Sequence, residues 1–371
     1  MTSQHIPVGL DSSKLTGAHE GGPHWTLDRA AAFGLDGVFF RSALELSRTL
    51  DPVEMRDVAD HARDCGLYLE AGIATINPFA SPESPEIRVL GDGDYAAGLM
   101  RMIDACAAID IRELWTYTAN YQFRIAGLYA CDRFRTDVKW QNQLDATRKF
   151  VGTISPALRD LGVHLNVETH EEITSFELVR LVEHCGPDVL GVTFDTANVL
   201  VRGEDPHAAA TRLAPYVRAT QIRDAGLFHT PEGIARFLLP CGDGVMRWEH
   251  ILATLIERAP RLTLSIEGVT RTNGELPLYI YNPVWLAAHP DMTVEELSKI
   301  VRMANEYEAR VASGDALGAE ALRNPVSDAR SDEFILNSAE HLRKCLGRIG
   351  ALGEVVSNLQ ARTAPTEKNV E

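Results

Sequence analysis

Four strand-like runs each carry an oxygen-bearing side chain near their C-terminal end: Glu168 in "LNVETHEE", Asp195 in "VTFDTANV", Gln221 in "ATQIRDA" and Glu267 in "TLSIEGVT". A single glutamate at a strand end is ordinarily solvated or paired with an arginine. Four such groups on successive strands are harder to place that way. Gathering three carboxylates in a low-dielectric site is costly unless a cation neutralises them. An oxygen-rich donor set points to one hard or borderline divalent ion, with Mn²⁺ favoured over Mg²⁺ and Zn²⁺ third. Gln221 is the ambiguous member, since its amide suits direct ligation or a hydrogen bond to a ligand carboxylate.

Further polar groups surround these four. Strand alternation puts His170 on the face of Glu168, where an imidazole is suited to act as base or to orient a substrate. Arg223 follows Gln221 at the same interval. It is read as a substrate-binding residue together with Asn198 and Asp224, with a structural ion pair between Arg223 and Asp224 as the alternative. Asp11, Glu70 and Tyr117 are further strand-end candidates, His24 and His229 are placed in loops, and core packing is the preferred reading of Trp115.

These residues need strands to hold them in register. The runs "IPVGLD", "LDGVFFRS", "LYLEAGI", "RELWTYT", "VHLNVET", "GVTFDTA", "RATQIRD" and "RLTLSIEG" alternate with amphipathic, helix-like segments. Eight βα units in about 270 residues match an α/β fold of the (β/α)₈ TIM barrel type, whose sites lie at the C-terminal strand ends. No GxGxxG turn follows the first strand, so an open dinucleotide-binding sheet has less support. We assign residues 1–275 to the barrel, 276–362 to a mostly helical C-terminal extension and 363–371 to a frayed tail. Thr293 and Glu296 have the spacing of a capping box for the first helix of that extension.

The 371 residues carry a formal net charge of −16, which argues against a nucleic-acid partner. No apolar stretch is long enough to span a bilayer. The N-terminus lacks signal-peptide character, and the six cysteines form no CxxC pair. A cytoplasmic protein without a disulfide framework or structural zinc is expected.

The order and spacing of "VETH", "FDTANVL", "TQIRDA", "LPCGDGVMRW" and "SIEG" resemble the xylose-isomerase-like TIM-barrel superfamily over roughly residues 6–270. The resemblance implies a metal-dependent sugar isomerase or epimerase with Glu168, Asp195 and Glu267 as ligands. Gln221 stands in the place of the usual histidine, Arg223 in that of a lysine, and Asn198 where histidine or asparagine is common. It further implies that Glu168 and Glu267 exchange the substrate proton. The sequence is also similar to the larger subunit of C-glycoside deglycosidases. That implies a carbon–carbon lyase acting on 3-oxo-C-glucosides by elimination, with His170 as candidate base and a small partner subunit. A homo-oligomer is expected on the first reading and a hetero-oligomer on the second. The DNA-repair branch of the superfamily is disfavoured by the acidic charge and by the single histidine at these strand ends. A metal-free binding module is the remaining non-enzymatic reading, motivated by Gln221. The sugar, the metal and the reaction outcome are left open by the sequence.

Overall fold

The computed structural model describes residues 5–363 except 120, 123, 260 and 261; side chains are not described at 83 and 352–363. The tail assigned to 363–371 therefore lies almost wholly outside the described residues. Eleven strands are present among them: β1 Val8–Asp11, β2 Gly37–Phe40, β3 Tyr68–Gly72, β4 Glu113–Thr116, β5 His164–Glu168, β6 Leu190–Asp195, β7 Val217–Gln221, β8 Asp224–Thr230, β9 Gly233–Leu239, β10 Leu264–Ile266 and β11 Leu276–Leu278.

Eight of them form one parallel sheet in the order β10-β1-β2-β3-β4-β5-β6-β7. A bridge between Ile222 and Ile266 joins its two edges, with Ile222 N–H donating to Ser265 O at 2.8 Å. The sheet is thus a closed (β/α)₈ barrel, built from the eight runs expected from alternation. Parallel strands need helical crossovers, and these cover the outside of the barrel. Helix Ala18–Ala32 leads into β2, with Gly34 just past its end at φ 66°, the left-handed conformation a helix stop requires.

Inside the barrel, tight packing uses two glycines. A Cβ at Gly9 or Gly37 would lie 2.2 Å from the Tyr68 side chain. Their absence of side chains lets Tyr68 reach Ser265 Oγ at 2.9 Å.

Three features differ from the sequence reading. First, His24 belongs to helix Ala18–Ala32 rather than to a loop, and pairs with Asp57 at 3.0 Å. Its segment was read as loop because Gly22 and Pro23 break the helical pattern; Gly22 adopts φ 75° and the helix kinks there. Second, His229 lies on β8 near the turn of a hairpin, opposite Ile234. β8 and β9 pair antiparallel directly after β7, and β11 adds to β9. Third, the capping box of helix Val294–Ser313 is only half made. Thr293 Oγ1 accepts from Glu296 N–H at 3.0 Å, but the Glu296 carboxylate turns away to Asp205 N–H at 3.0 Å and Arg212 at 2.5 Å.

The segment after β10 supports the barrel. Helix Val294–Ser313 packs on β8, where Tyr307 meets Phe228 with ring centroids 5.3 Å apart. Helix Asp328–Thr363 packs on β1, β10 and helix Trp248–Arg258, in the position of the barrel's eighth outer helix. None of the helices, among the described residues, is long and apolar enough to cross a membrane.

Asp224 ties the hairpin to the glycine loop that follows it. Its carboxylate accepts from Ala225 N–H at 2.8 Å, Gly242 N–H at 3.0 Å, Met246 N–H at 3.0 Å and Trp248 Nε1–H at 2.8 Å. Asp224→Asn puts an NH₂ group where only donors point, leaving buried N–H groups unpaired. We expect a loss on the order of 3 kcal/mol, read from the urea midpoint; an unchanged midpoint removes this anchoring role.

Candidate metal centre

The ends of β5, β6 and β7 and the residue after β10 bring Glu168, Asp195, Gln221 and Glu267 together, each no more than 3% exposed. One oxygen from each carboxylate lies within 4.8 Å of the others. Burial of three acids this close is compensated first by the chain's own cations. Arg223 contacts Asp195 at 2.5 Å and Glu267 at 3.0 Å. Arg41 joins Asp11 at 2.8 Å to Glu267 at 2.9 Å, and Lys14 stands 3.5 Å from Glu267. The ordinary pairing of a strand-end acid with arginine and the gathering of four groups in register are therefore both present.

The two glutamates are held differently. Burial drives the Glu168 carboxyl up to about 8, because the partial relief from His170 and Arg41 is countered by Glu267 and Asp195. Its hydrogen-bond donors are neutral: Trp115 Nε1–H at 2.9 Å and Asn198 Nδ2–H at 3.2 Å. Burial also opposes ionisation of Glu267, but Arg223, Arg41 and Lys14 outweigh it and hold the group at about 2. Without a bound cation the two glutamates thus differ in how readily they ionise, Glu168 resisting and Glu267 favouring the charged form.

Gln221 lies between them. With its nitrogen toward the acids, it donates to Glu168 at 3.0 Å and Glu267 at 3.0 Å while its oxygen accepts from Arg41 at 3.2 Å. With its oxygen toward them, the same positions become oxygen–oxygen contacts, which repel unless a cation sits among them. Octahedral ligation at about 2.1 Å places neighbouring oxygens about 3 Å apart, so this second orientation matches a ligand set. Asp195 Oδ2 faces the same space, buried and 2.5 Å from the Arg223 guanidinium. The donors present fit a hard divalent ion.

The other expected site residues are placed as follows. Asn198 is in the cluster, its amide donating to Glu168 and its oxygen accepting from Arg223 at 3.1 Å. Arg223 is 4% exposed and committed to Asp195, Glu267 and Asn198, not to Asp224. Asp224 is not positioned for substrate: both its oxygens are taken by main-chain and indole N–H groups, as described above. His170 is at the rim of the cluster, but it is not a free base. Its Nδ1 lies 2.6 Å from Glu172 and its Nε2 3.0 Å from Glu171. Burial favours the neutral ring, yet Glu171, Glu172 and Glu168 outweigh that and push its pKa well above the usual imidazole range. The protonated ring is favoured because the two residues after it are both acids that fold back onto it.

Four residues at the centre were not assigned to it from sequence: Arg41, Lys14, Trp115 and Arg236. Arg41 and Lys14 carried a usable signal, since each follows a barrel strand or its first turn at the end where such sites lie. Trp115 carried none; an apolar residue in mid-strand reads as core, and only the barrel aims its N–H at Glu168. Arg236 lies on the hairpin that was read as loop. Beside the cluster, a cavity of about 250 Å³ is lined in part by Arg41, Trp115, Tyr117 and His170. A groove of about 1370 Å³ shares Arg41 and Ser42 with it and continues past Ser12, Ser13, Glu45 and Arg271. A second group of metal-ligand types, Asp28, His61 and Cys65, lies on outer helices, where His61 pairs with Asp28 at 2.8 Å.

Barrel, strand-end acids and glycine loop together define a class, and comparison with known proteins places the chain within it. Residues 27–289 match the family model described as xylose isomerase-like TIM barrel. The chain belongs to that family. Its fold is similar to that of D-psicose 3-epimerase crystallised in the presence of D-fructose (18% identity, 92% of this chain and 100% of that one, TM-score 0.60). It is also similar to L-ribulose 3-epimerase (15% identity, 98% and 100% coverage, TM-score 0.58). A third likeness is to a xylose isomerase-like TIM barrel protein from Mycobacterium smegmatis in complex with magnesium (14% identity, 83% and 99% coverage, TM-score 0.53). At these identities the likeness is one of fold. The uncharacterized protein YihM of Escherichia coli (strain K12) is 30% identical over 106 residues, 29% of this chain and 32% of that protein, so the match spans about a third of its length.

A carboxyl whose folded pKa lies above its ordinary value of 4.5, as Glu168 does at about 8, stabilises the fold in its neutral form. That contribution is complete below about pH 4.5 and is lost as pH rises through about 8. In protein stripped of divalent ions, Glu168→Gln should therefore raise the melting temperature at pH 9 by on the order of 5 °C and change it little at pH 5. Thermal scans at the two pH values check this; equal shifts at both would contradict it.

Proposed function

We propose that the protein is a divalent-metal-dependent sugar isomerase or epimerase that moves a proton at the carbon beside a sugar carbonyl. The observation that carries this reading is the convergence of Glu168, Asp195 and Glu267 within 4.8 Å, with the Gln221 amide placed among their oxygens. The family and the fold-level likeness to two sugar 3-epimerases and a magnesium-bound member support it.

A divalent ion held by Glu168, Asp195, Gln221 and Glu267, Mn²⁺ before Mg²⁺ or Zn²⁺, would supply Lewis-acid polarisation of the carbonyl and its neighbouring hydroxyl. Everything else falls to the chain. Glu267, kept ionised by Arg223, Arg41 and Lys14, accepts the proton. Glu168, on a different strand of the barrel, returns one from another direction, which inverts the carbon. Trp115 and Asn198 fix the Glu168 carboxyl through their N–H donors. Arg41 lies over Trp115, 5.1 Å from its ring centroid, and both line the cavity. His170, as a cation at the cavity wall, orients substrate oxygens and does not take the proton.

A second reading, elimination of an aglycone from a 3-oxo-C-glucoside, begins with the same proton removal. The 1370 Å³ groove favours it, because it exceeds the roughly 300–1,000 Å³ of an ordinary small-molecule site and leaves room for an aglycone beside the sugar.

Elemental analysis should find about one divalent ion per chain, and incubation with Mn²⁺ and a ketohexose in D₂O should put deuterium on the carbon beside the carbonyl. Glu267→Gln should slow that exchange by about 10³-fold, in the range expected for loss of a general base. Exchange at the wild-type rate in metal-stripped protein would sink the proposal. A 3-oxo-C-glucoside that releases free aglycone would decide for the second reading.

A further inference from the structure

Arg236 is 1% exposed and sits on β9. Alternation on that strand is clear. Ala235, Phe237 and Leu239 pack outward against Tyr307 and Leu322, whereas Ile234 and Leu238 join the barrel core. Arg236 shares the inward face with Ile234 and Leu238, so its guanidinium is directed to the barrel mouth. Its nearest opposite charge is Glu171, 3.9 Å away, and Glu171 is already 3.0 Å from His170.

Among the described residues, Nε, Nη1 and Nη2 of Arg236 are all buried without a hydrogen-bond partner. The other buried arginines differ. In Arg133, Arg202 and Arg223 only Nε is both fully buried and unpaired. Arg133 holds Glu177 at 2.7 Å, Arg202 faces His289 at 3.1 Å, and Arg223 holds Asp195 and Glu267. Apart from Glu168, which is bonded to neutral donors, the carboxylates of the centre are engaged by other cations: Asp11 by Arg41, Asp195 by Arg223, Glu267 by Arg41, Arg223 and Lys14, and Glu171 and Glu172 by His170.

A buried, always-charged group with five N–H donors and no acceptor is costly to keep. The cost is recovered if a ligand brings the missing acceptor, and a guanidinium fork matches a carboxylate in two parallel hydrogen bonds. Among the described residues, the other cations facing the centre, Lys14, Arg41 and Arg223, are each committed to a carboxylate, which fits one negative charge better than a phosphate dianion.

We propose that Arg236 is a specificity residue for an anionic substrate, a sugar acid whose carboxylate it clasps while the carbonyl end lies at the Glu168–Glu267 centre. This rests on the sugar-isomerase reading above and narrows its substrate class. It also explains why the hairpin is inserted directly after β7: the insertion carries the cation over the mouth.

The test compares D-fructuronate with D-fructose, which differ only in a carboxylate or a hydroxymethyl group at C6. Calorimetric titration of the full chain with Mn²⁺ present should show at least tenfold tighter binding of D-fructuronate. Arg236→Met should bring the ratio of the two dissociation constants to about one, and Arg236→Lys should restore part of it. Removing an unpaired buried charge should also raise the melting temperature of the ligand-free Arg236→Met protein. Equal binding of the two sugars by the wild type, binding of neither, or a ratio unchanged by Arg236→Met overturns the proposal. A lower melting temperature for Arg236→Met overturns it too, because it means the guanidinium is already paired. The two readings fail separately: carboxylate preference without deuterium exchange retires the isomerase, while exchange on fructose without that preference retires Arg236 alone.

Discussion

Three carboxylates and the guanidinium groups of Arg41 and Arg223 share a small, dry volume at the barrel mouth, and most of the surrounding architecture serves that charge balance. The acids cannot be ionised together in a low-dielectric space without cations. The chain supplies these from three directions: Lys14 after β1, Arg41 after β2 and Arg223 after β7. The result is graded, not uniform. Glu267 takes most of the cationic contacts and stays ionised, while Glu168 is bonded to neutral donors and resists ionisation. One fold thus prepares two chemically different glutamates from the same residue type.

The parts of the chain outside the minimal barrel bear on the same site. β8, β9 and β11 form a small sheet whose outward face is packed by Tyr307 and its helix, and whose inward face lies over the centre. Asp224 fixes the start of that sheet to the glycine loop through four N–H donors. The final long helix fills the barrel wall between β10 and β1. In each case apolar packing on one side positions a polar group on the other, which is how a soft surface insertion acquires the rigidity a site requires.

Much of the barrel was legible. Its eight strands stand out because each is a short apolar run bounded by helical periodicity, and a parallel sheet buries both faces. The hairpin was not legible, since "GLFHTPEGIARFLL" runs straight on from β7 with no break in composition and its turn residues read equally well as loop. His24 was misplaced for a related reason: glycine and proline signal a break, but a kinked helix continues across them.

Sequence alone determined which residue types reach the strand ends. Glu168, Asp195, Gln221 and Glu267 are placed by the alternation of side chains along strands, a local rule that needs no knowledge of neighbours. What each group does was decided by the tertiary structure. Asp224 became an anchor because four N–H donors from a distant loop converge on it. His170 became a cation because Glu171 and Glu172 turn back onto its two nitrogens. Trp115 became a partner of Glu168 because adjacent strands hold them in register. Charge state, hydrogen-bond commitment and burial depend on distances between segments far apart in the chain, and those distances exist only once the barrel has closed.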